Sequence, residues 1–236
     1  MSPERLVIEA GAALADAAAQ WIAAAIEADI RERGTCAVAL SGGTTPRPVY
    51  ERLARPPLAS AIAWRRVTIF FGDERAVPPV DPGSNYGMVK AALLEHVSVP
   101  PAQCHRMEAE RSDRDAAARD YERLLPERLD LLLLGMGSDG HTASLFPGSP
   151  ALDERRRRVV PATAPMPPRE RLTITPPVIA AARRVAVLVA GPDKAATVAR
   201  VLAGPGRPHE LPAQLALGGS WFLDVDAAAQ LPGAAA

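Results

Sequence analysis

Residues 129–141 read LDLLLLGMGSDGH, the most apolar run of the chain, cut off abruptly by glycines, an acid and a histidine. Leu131–Leu134 leave no polar side for water, so this strand is expected to be buried on both faces, as in a parallel sheet covered on two sides. The same arrangement occurs twice upstream. CAVAL (36–40) runs into Ser41-Gly42-Gly43-Thr44-Thr45-Pro46, and RVTIFF (66–71) runs into Gly72-Asp73-Glu74-Arg75. Helical stretches alternate with these strands. Residues 10–33 are Ala-rich, with Leu14, Trp21, Ile22, Ile26 and Ile30 near helical spacing and Gly34 as the stop. A helix opens at Pro46 with proline in its first turn, another covers 84–96 behind Ser84 as N-cap, and a charged surface helix covers 112–125. Downstream, RLTITPPVIAAARRVAVLVAG reads as two strands around a short helix, DKAATVARVLAG as a helix and SWFLDV as a last strand. The alternation predicts a parallel-rich α/β layer fold, and the proline-rich 164–169 is read as a loop, leaving residues 1–236 as one domain.

Composition narrows the function classes. The 236 residues are 48% apolar, enough for a sizeable core, and 27 basic residues balance 27 acidic ones. A net charge of zero gives no field to draw in nucleic acid or an anionic membrane, and 4% aromatics argue against base-stacking platforms. No apolar run approaches the roughly 18 to 20 residues of a membrane span, and the N-terminus lacks a secretory pattern. Cys36 and Cys104 are isolated, which suggests neither a disulfide framework nor a thiolate metal site. The expectation is a soluble cytoplasmic protein with no nucleic-acid or membrane partner. It is expected as a monomer, since no heptad or apolar surface stripe is visible.

In open α/β sheets ligands bind beyond the carboxyl ends of the strands, where these three polar turns fall. In Ser41–Pro46 two glycines allow backbone N–H groups to turn inward, two threonine hydroxyls add donors and a helix N-terminus follows. That suits a phosphate or carboxylate; the alternative is a tight turn with a threonine cap. The GK[ST] ending of a nucleotide P-loop is missing. Asp73 and Arg75, two apart, share a face of extended backbone and can point to a cleft, whereas Glu74 reads as a solvated salt-bridged corner. Gly135–Gly140 fits GxGxxG literally. No adequate helix follows in 140–150 and no acid ends a strand at about the 20-residue offset, so a dinucleotide site is rejected. His141 beside Asp139 is suited to acid–base work near neutrality. His96, His105 and His209 show no metal spacing, so neither metal nor cofactor is expected. The Arg155–Arg158 run reads as a solvated face, and Arg171 and Lys194 are the better cations for a phosphate. Serine chemistry lacks a GxSxG elbow, although Ser144 falls three residues after His141.

Taken together, SGGTTPRPVYERL, FFGDERAVPPVDPGSNYGMVKAALL, LDLLLLGMGSDGHTASLFPGS, RLTITPPVIAAARRVAVLV and the late WFLD resemble the 6-phosphogluconolactonases of the oxidative pentose phosphate pathway. The likeness runs from the first helix to WFLD, in the family's order. It implies a modified doubly wound, mostly parallel sheet flanked by helices, shared with glucosamine-6-phosphate deaminase and related sugar-phosphate isomerases. In the deaminase, an aspartate resembling Asp73 is the proton-transfer base, and the histidine is followed by a segment ending Asn-Glu-Pro. Here that segment is Thr142–Pro147 with no acid before the proline, which favours the lactonase.

The resemblance implies hydrolysis of 6-phospho-D-glucono-1,5-lactone without cofactor. His141 is expected as general acid–base, with Asp139 orienting the ring or serving the turn. Arg75 is expected at the carbonyl oxygen, and Asp73 on sugar hydroxyls or on Arg75. Gly42, Gly43, Thr44, Thr45, Arg171 and Lys194 are expected on the phosphate. A deaminase, a sugar-phosphate isomerase and a non-catalytic sugar-phosphate sensor are the alternatives.

Overall fold

The computed structural model describes residues 2–232. Nine strands are present among them: β1 (Arg5–Glu9), β2 (Cys36–Leu40), β3 (Val67–Phe71), β4 (Asp73–Arg75), β5 (Leu131–Gly135), β6 (Val159–Thr163), β7 (Glu170–Ile174), β8 (Arg184–Val189) and β9 (Ser220–Asp224). Six form one parallel sheet in the order β1-β9-β8-β5-β2-β3. From β2 the chain steps outward to β3, then returns to lay β5 on the other side of β2. That reversal opens a crevice at the carboxyl ends of β2 and β5. The other three strands form a small antiparallel sheet, β4-β7-β6, which the chain enters through Gly72 straight after β3.

Leu131–Leu134 are all 0% exposed, the central position their sequence requires. Helix α1 (Gly11–Arg33) packs an Ala-rich face on the sheet, with Ala18, Ala19, Ile22 and Ile26 buried, and small side chains let the two backbones approach. It stops at Gly34, which has φ +82° and returns its N–H to the Ile30 carbonyl at 2.8 Å. Helix α2 (Pro46–Leu53) follows the Ser41–Thr45 turn, and α3 (Leu58–Ala61) is one turn. Helix α4 (Asn85–Val89) is capped by Ser84 Oγ, which accepts from Gly87 N at 3.0 Å, and runs into a π-helical turn at Lys90–Leu94. Helices α5 (Arg114–Leu124), α6 (Pro176–Ala181), α7 (Ala195–Ala203) and α8 (Val225–Ala228) complete the covering layers.

The mostly parallel sheet flanked by helices agrees with the expected fold class. Two differences matter for the site. RLTIT is β7, a strand of the antiparallel sheet rather than of the parallel one, so Arg171 reaches the cleft from a separate wall. β1, β4 and β6 have no legible signal. Only Val7 of β1 is even half-buried, β4 is three residues long, and β6 carries Pro161, tolerable because β6 is an edge strand.

Candidate active site

The three polar turns meet above the β2–β5 crevice around a cleft of about 450 Å³. Every residue expected at the site lines it: Gly42, Gly43, Thr44, Thr45, Asp73, Arg75, Asp139, His141, Arg171 and Lys194. Ser41, from the turn read as anion-binding, and Ser144, weighed as a nucleophile, also line it, together with Asn85, Ser138, Ala143, Phe146 and the segment Ala164–Met166, to which the sequence did not point.

The floor is the turn after β2. Buried Tyr50, on α2, accepts from Ser41 N at 3.0 Å and donates to Ser41 O at 2.8 Å, so the helix that follows the turn also clamps its start. Thr45, at the N-cap of α2, makes no side-chain capping bond. The cap in the alternative reading is therefore absent at Thr45, which leaves that hydroxyl available to a ligand. Ser41 Oγ is buried without a partner.

One wall comes from the antiparallel sheet. β4 and β7 pair Arg75 directly opposite Arg171, which places two guanidinium groups side by side. Burial, with Arg75 as a like-charged neighbour, pulls Arg171 below its usual range. The Nε atoms of both arginines are buried and unpaired, although Arg75 Nη1 donates to Gly83 O. Two cations with unused donors at a cleft are an arrangement an anion would relieve. Lys194 adds a third cation, held by Asp193 at 2.7 Å. Asp73 does not orient Arg75 by a hydrogen bond: its carboxylate accepts from Ser144 Oγ at 2.6 Å and from Asn85 Nδ2 at 3.1 Å.

Glu74 is not a solvated corner. It is 3% exposed and accepts from Arg75 N, Asn85 N and Tyr86 N at 2.7–2.8 Å and from Ser84 Oγ at 3.0 Å. Burial pushes its carboxyl up, and the backbone N–H groups pull it back only in part. β4 alternates across the sheet, so Glu74 points inward beneath α4 while Asp73 and Arg75 face the cleft.

The opposite wall carries His141. Its Nδ1 lies 2.6 Å from Asp139 Oδ1, and its backbone N–H donates to the same oxygen at 3.0 Å. Burial pushes the Asp139 carboxyl up, but the hydrogen bonds from the His141 ring and backbone outweigh it, leaving the group below the usual carboxylate range. An ionised carboxylate only accepts, so Nδ1 is the nitrogen that carries a proton, and in the neutral ring the lone pair is left on Nε2. The ring packs against Phe146, centroids 4.5 Å apart, and over Gly137, where a Cβ would lie 2.1 Å from Nδ1. The segment after His141 forms turns rather than a helix. Within it Ala143 takes φ +48°, a left-handed conformation rare outside glycine. Ser144 is turned onto Asp73, so it is not a nucleophile poised on His141.

Arg155, Arg157 and Arg158 serve structure elsewhere, on the Leu152 carbonyl, on Glu122 and Asp115, and on the Leu125 and Pro126 carbonyls respectively. Among the described residues no group of three or more His, Cys, Asp or Glu side chains is arranged to hold a metal ion.

Residues 9–222 match the family of glucosamine-6-phosphate isomerases/6-phosphogluconolactonase. The 6-phosphogluconolactonase of Mycobacterium tuberculosis is 40% identical, over 93% of this chain and 94% of its own. The solved 6-phosphogluconolactonase of Trypanosoma brucei matches with a TM-score of 0.84 at 30% identity, covering 98% of this chain and 99% of that one. A monomeric glucosamine-6-phosphate deaminase also reaches a TM-score of 0.84, at 23% identity over 96% of this chain and 99% of that one, a likeness of fold alone. The family match thus runs from the last residue of β1 into β9, and the chain belongs to the glucosamine-6-phosphate isomerase/6-phosphogluconolactonase family.

Proposed function

We propose that the protein is a 6-phosphogluconolactonase, hydrolysing 6-phospho-D-glucono-1,5-lactone to 6-phospho-D-gluconate in the oxidative pentose phosphate pathway, with His141 as general acid–base. The observation that carries the mechanism is the His141 ring. It is oriented by Asp139 with Nε2 free, in a cleft whose other walls hold three cations.

Nε2 takes a proton from water as the water oxygen bonds to C1. Negative charge then develops on the former carbonyl oxygen, where Arg75 stabilises it. As the C1–ring oxygen bond breaks, the protonated imidazole returns its proton to the departing ring oxygen, leaving a carboxyl group and a free hydroxyl. The imidazolium formed between these steps is stabilised by the Asp139 carboxylate. Arg171, Lys194 and the backbone and hydroxyls of Gly42–Thr45 hold the remote phosphate, which fixes C1 relative to Nε2 and turns binding energy into rate. One chain supplies every group, so the functional unit is read as a monomer; the cytoplasm is the compartment expected for an enzyme of sugar-phosphate metabolism.

A specific observation weighs against the deaminase. Asp73, the residue that would have to move protons there, has both carboxylate oxygens occupied by Ser144 and Asn85. The test follows lactone loss with and without protein, corrected for spontaneous hydrolysis, with glucosamine 6-phosphate assayed in parallel for ammonia. Acceleration of the lactone alone is expected. Ammonia release instead would replace the reading with the deaminase, and binding of sugar phosphates without either reaction would leave a sensor.

A further inference from the structure

Asn85 stands in the cleft wall, 2% exposed, with its side chain half used. Nδ2 donates to the Asp73 carbonyl oxygen at 2.9 Å and to Asp73 Oδ1 at 3.1 Å. Two acceptors on that side settle which way the amide faces, because the reverse orientation would press its oxygen against two oxygens. Oδ1 is therefore turned the other way, and it is buried with no hydrogen-bond partner. Gly42 makes room for the amide, which fills the place of a side chain there: a Cβ would stand 1.7 Å from Oδ1.

Little freedom remains for this amide. Its own backbone N–H and that of Tyr86 are held by the buried Glu74 carboxylate, at 2.7 and 2.8 Å. The neighbouring unpaired groups, Ser41 Oγ and the Nε atoms of Arg75 and Arg171, all have a hydrogen to donate. Asn85 Oδ1 only accepts. A phosphate or carbonyl oxygen would satisfy the donors and leave Oδ1 unpaired, whereas a hydroxyl supplies the missing proton.

We infer that Asn85 is a specificity-determining residue, its Oδ1 accepting a hydrogen bond from one ring hydroxyl of the sugar lactone. Glu74 is the positioning residue behind it. This assignment rests on the lactonase reading and deepens it.

The experiment compares kcat/KM of wild type, Asn85→Ala and Asn85→Asp on 6-phosphogluconolactone and on its 2-deoxy, 3-deoxy and 4-deoxy counterparts, with spontaneous hydrolysis subtracted. Wild type is expected to favour the parent over one of the three by about tenfold, the scale of one hydrogen bond. Asn85→Ala should erase that one preference to within about twofold while leaving the other ratios in place. Asn85→Asp keeps an oxygen at the cleft but sets a second carboxylate beside Asp73, so it should lose overall rate and retain the preference. Equal losses on all four lactones in Asn85→Ala would make the residue a support for Asp73 only and overturn the inference. A wild type indifferent to all three deletions would overturn it too, without need of any variant. A wild type inactive on the parent lactone would instead remove the lactonase reading itself.

Discussion

His141 gains its proposed role from its two nearest neighbours. Asp139 accepts a hydrogen bond from Nδ1 and Gly137 leaves room for the ring, so one tautomer and one orientation are selected before substrate arrives. His141→Asn should therefore lower kcat by roughly 10²- to 10⁴-fold, the usual worth of a general acid–base. KM should stay near wild type, since the phosphate contacts lie on other elements; steady-state kinetics on purified variants measures both. Asp139 also makes a pH-dependent contribution to stability. Its folded-state carboxyl lies below the unfolded value, so the contribution is present above the unfolded carboxylate range and lost as pH falls through the folded value. In urea unfolding, wild type should exceed Asp139→Asn at about pH 7, and the gap should narrow progressively as pH falls through the carboxylate range. A gap that widened in acid would contradict the depressed carboxyl.

At the scale of elements, β4 is the hinge of the site. Three residues send Asp73 and Arg75 to the cleft and Glu74 inward, where it gathers four donors, three of them from Ser84–Tyr86 at the start of α4. Glu74→Gln keeps the shape but offers an N–H₂ to donors that expect an acceptor. It should cost about 1–3 kcal/mol, the penalty for buried polar groups left mismatched, as read from the urea midpoint. Because Asn85 depends on the same carboxylate, kcat/KM should fall beyond what residual folding explains. An unchanged midpoint would mean that Glu74 is dispensable to α4. The burial of Glu74 is not legible in the sequence for a physical reason: the alternation of Asp73, Glu74 and Arg75 does not say which side the rest of the molecule covers. The unpartnered Ser41 hydroxyl and the place of Asn85 in the cleft are hidden for a similar reason. Ser41 looked like the start of a turn and Asn85 like the residue after an N-cap, and only the packing of α4 against the first turn joins them.

Across the whole molecule, the cleft sits at one end of the parallel sheet and a charge network closes the other. Asp29 of α1 is 0% exposed and pairs with Arg33 and with Arg184 at the start of β8, while Cys36 Sγ donates to it at 3.6 Å. Asp130, before β5, accepts from Arg33 Nε at 3.1 Å and from Ala37 N at 2.8 Å. Helix and three central strands are thus fastened at the end away from the chemistry. Asp29→Asn leaves two arginines facing a neutral amide. Their partial exposure softens the loss, so a cost of about 2–4 kcal/mol is expected in equilibrium unfolding. KM for the lactone should not move, and a change in KM with stability intact would show that the two ends are coupled.

Much was decided locally. Leu131–Leu134 had to be a strand buried on both faces, Gly34 had to end α1, and three glycine- or acid-bearing turns had to fall at strand ends, because hydrophobic period and backbone freedom act over a few residues. His141 and Asp139 are two residues apart, so their partnership was legible as well. Which strands pair, and in which direction, depends on contacts between distant parts of the chain. The chain's own residues could not place β7 in an antiparallel sheet, set Arg171 opposite Arg75, bury Glu74 or turn Ser144 onto Asp73. Those relations span up to about a hundred residues, and only strand pairing and the packing of loops and α4 around β4 bring the groups together.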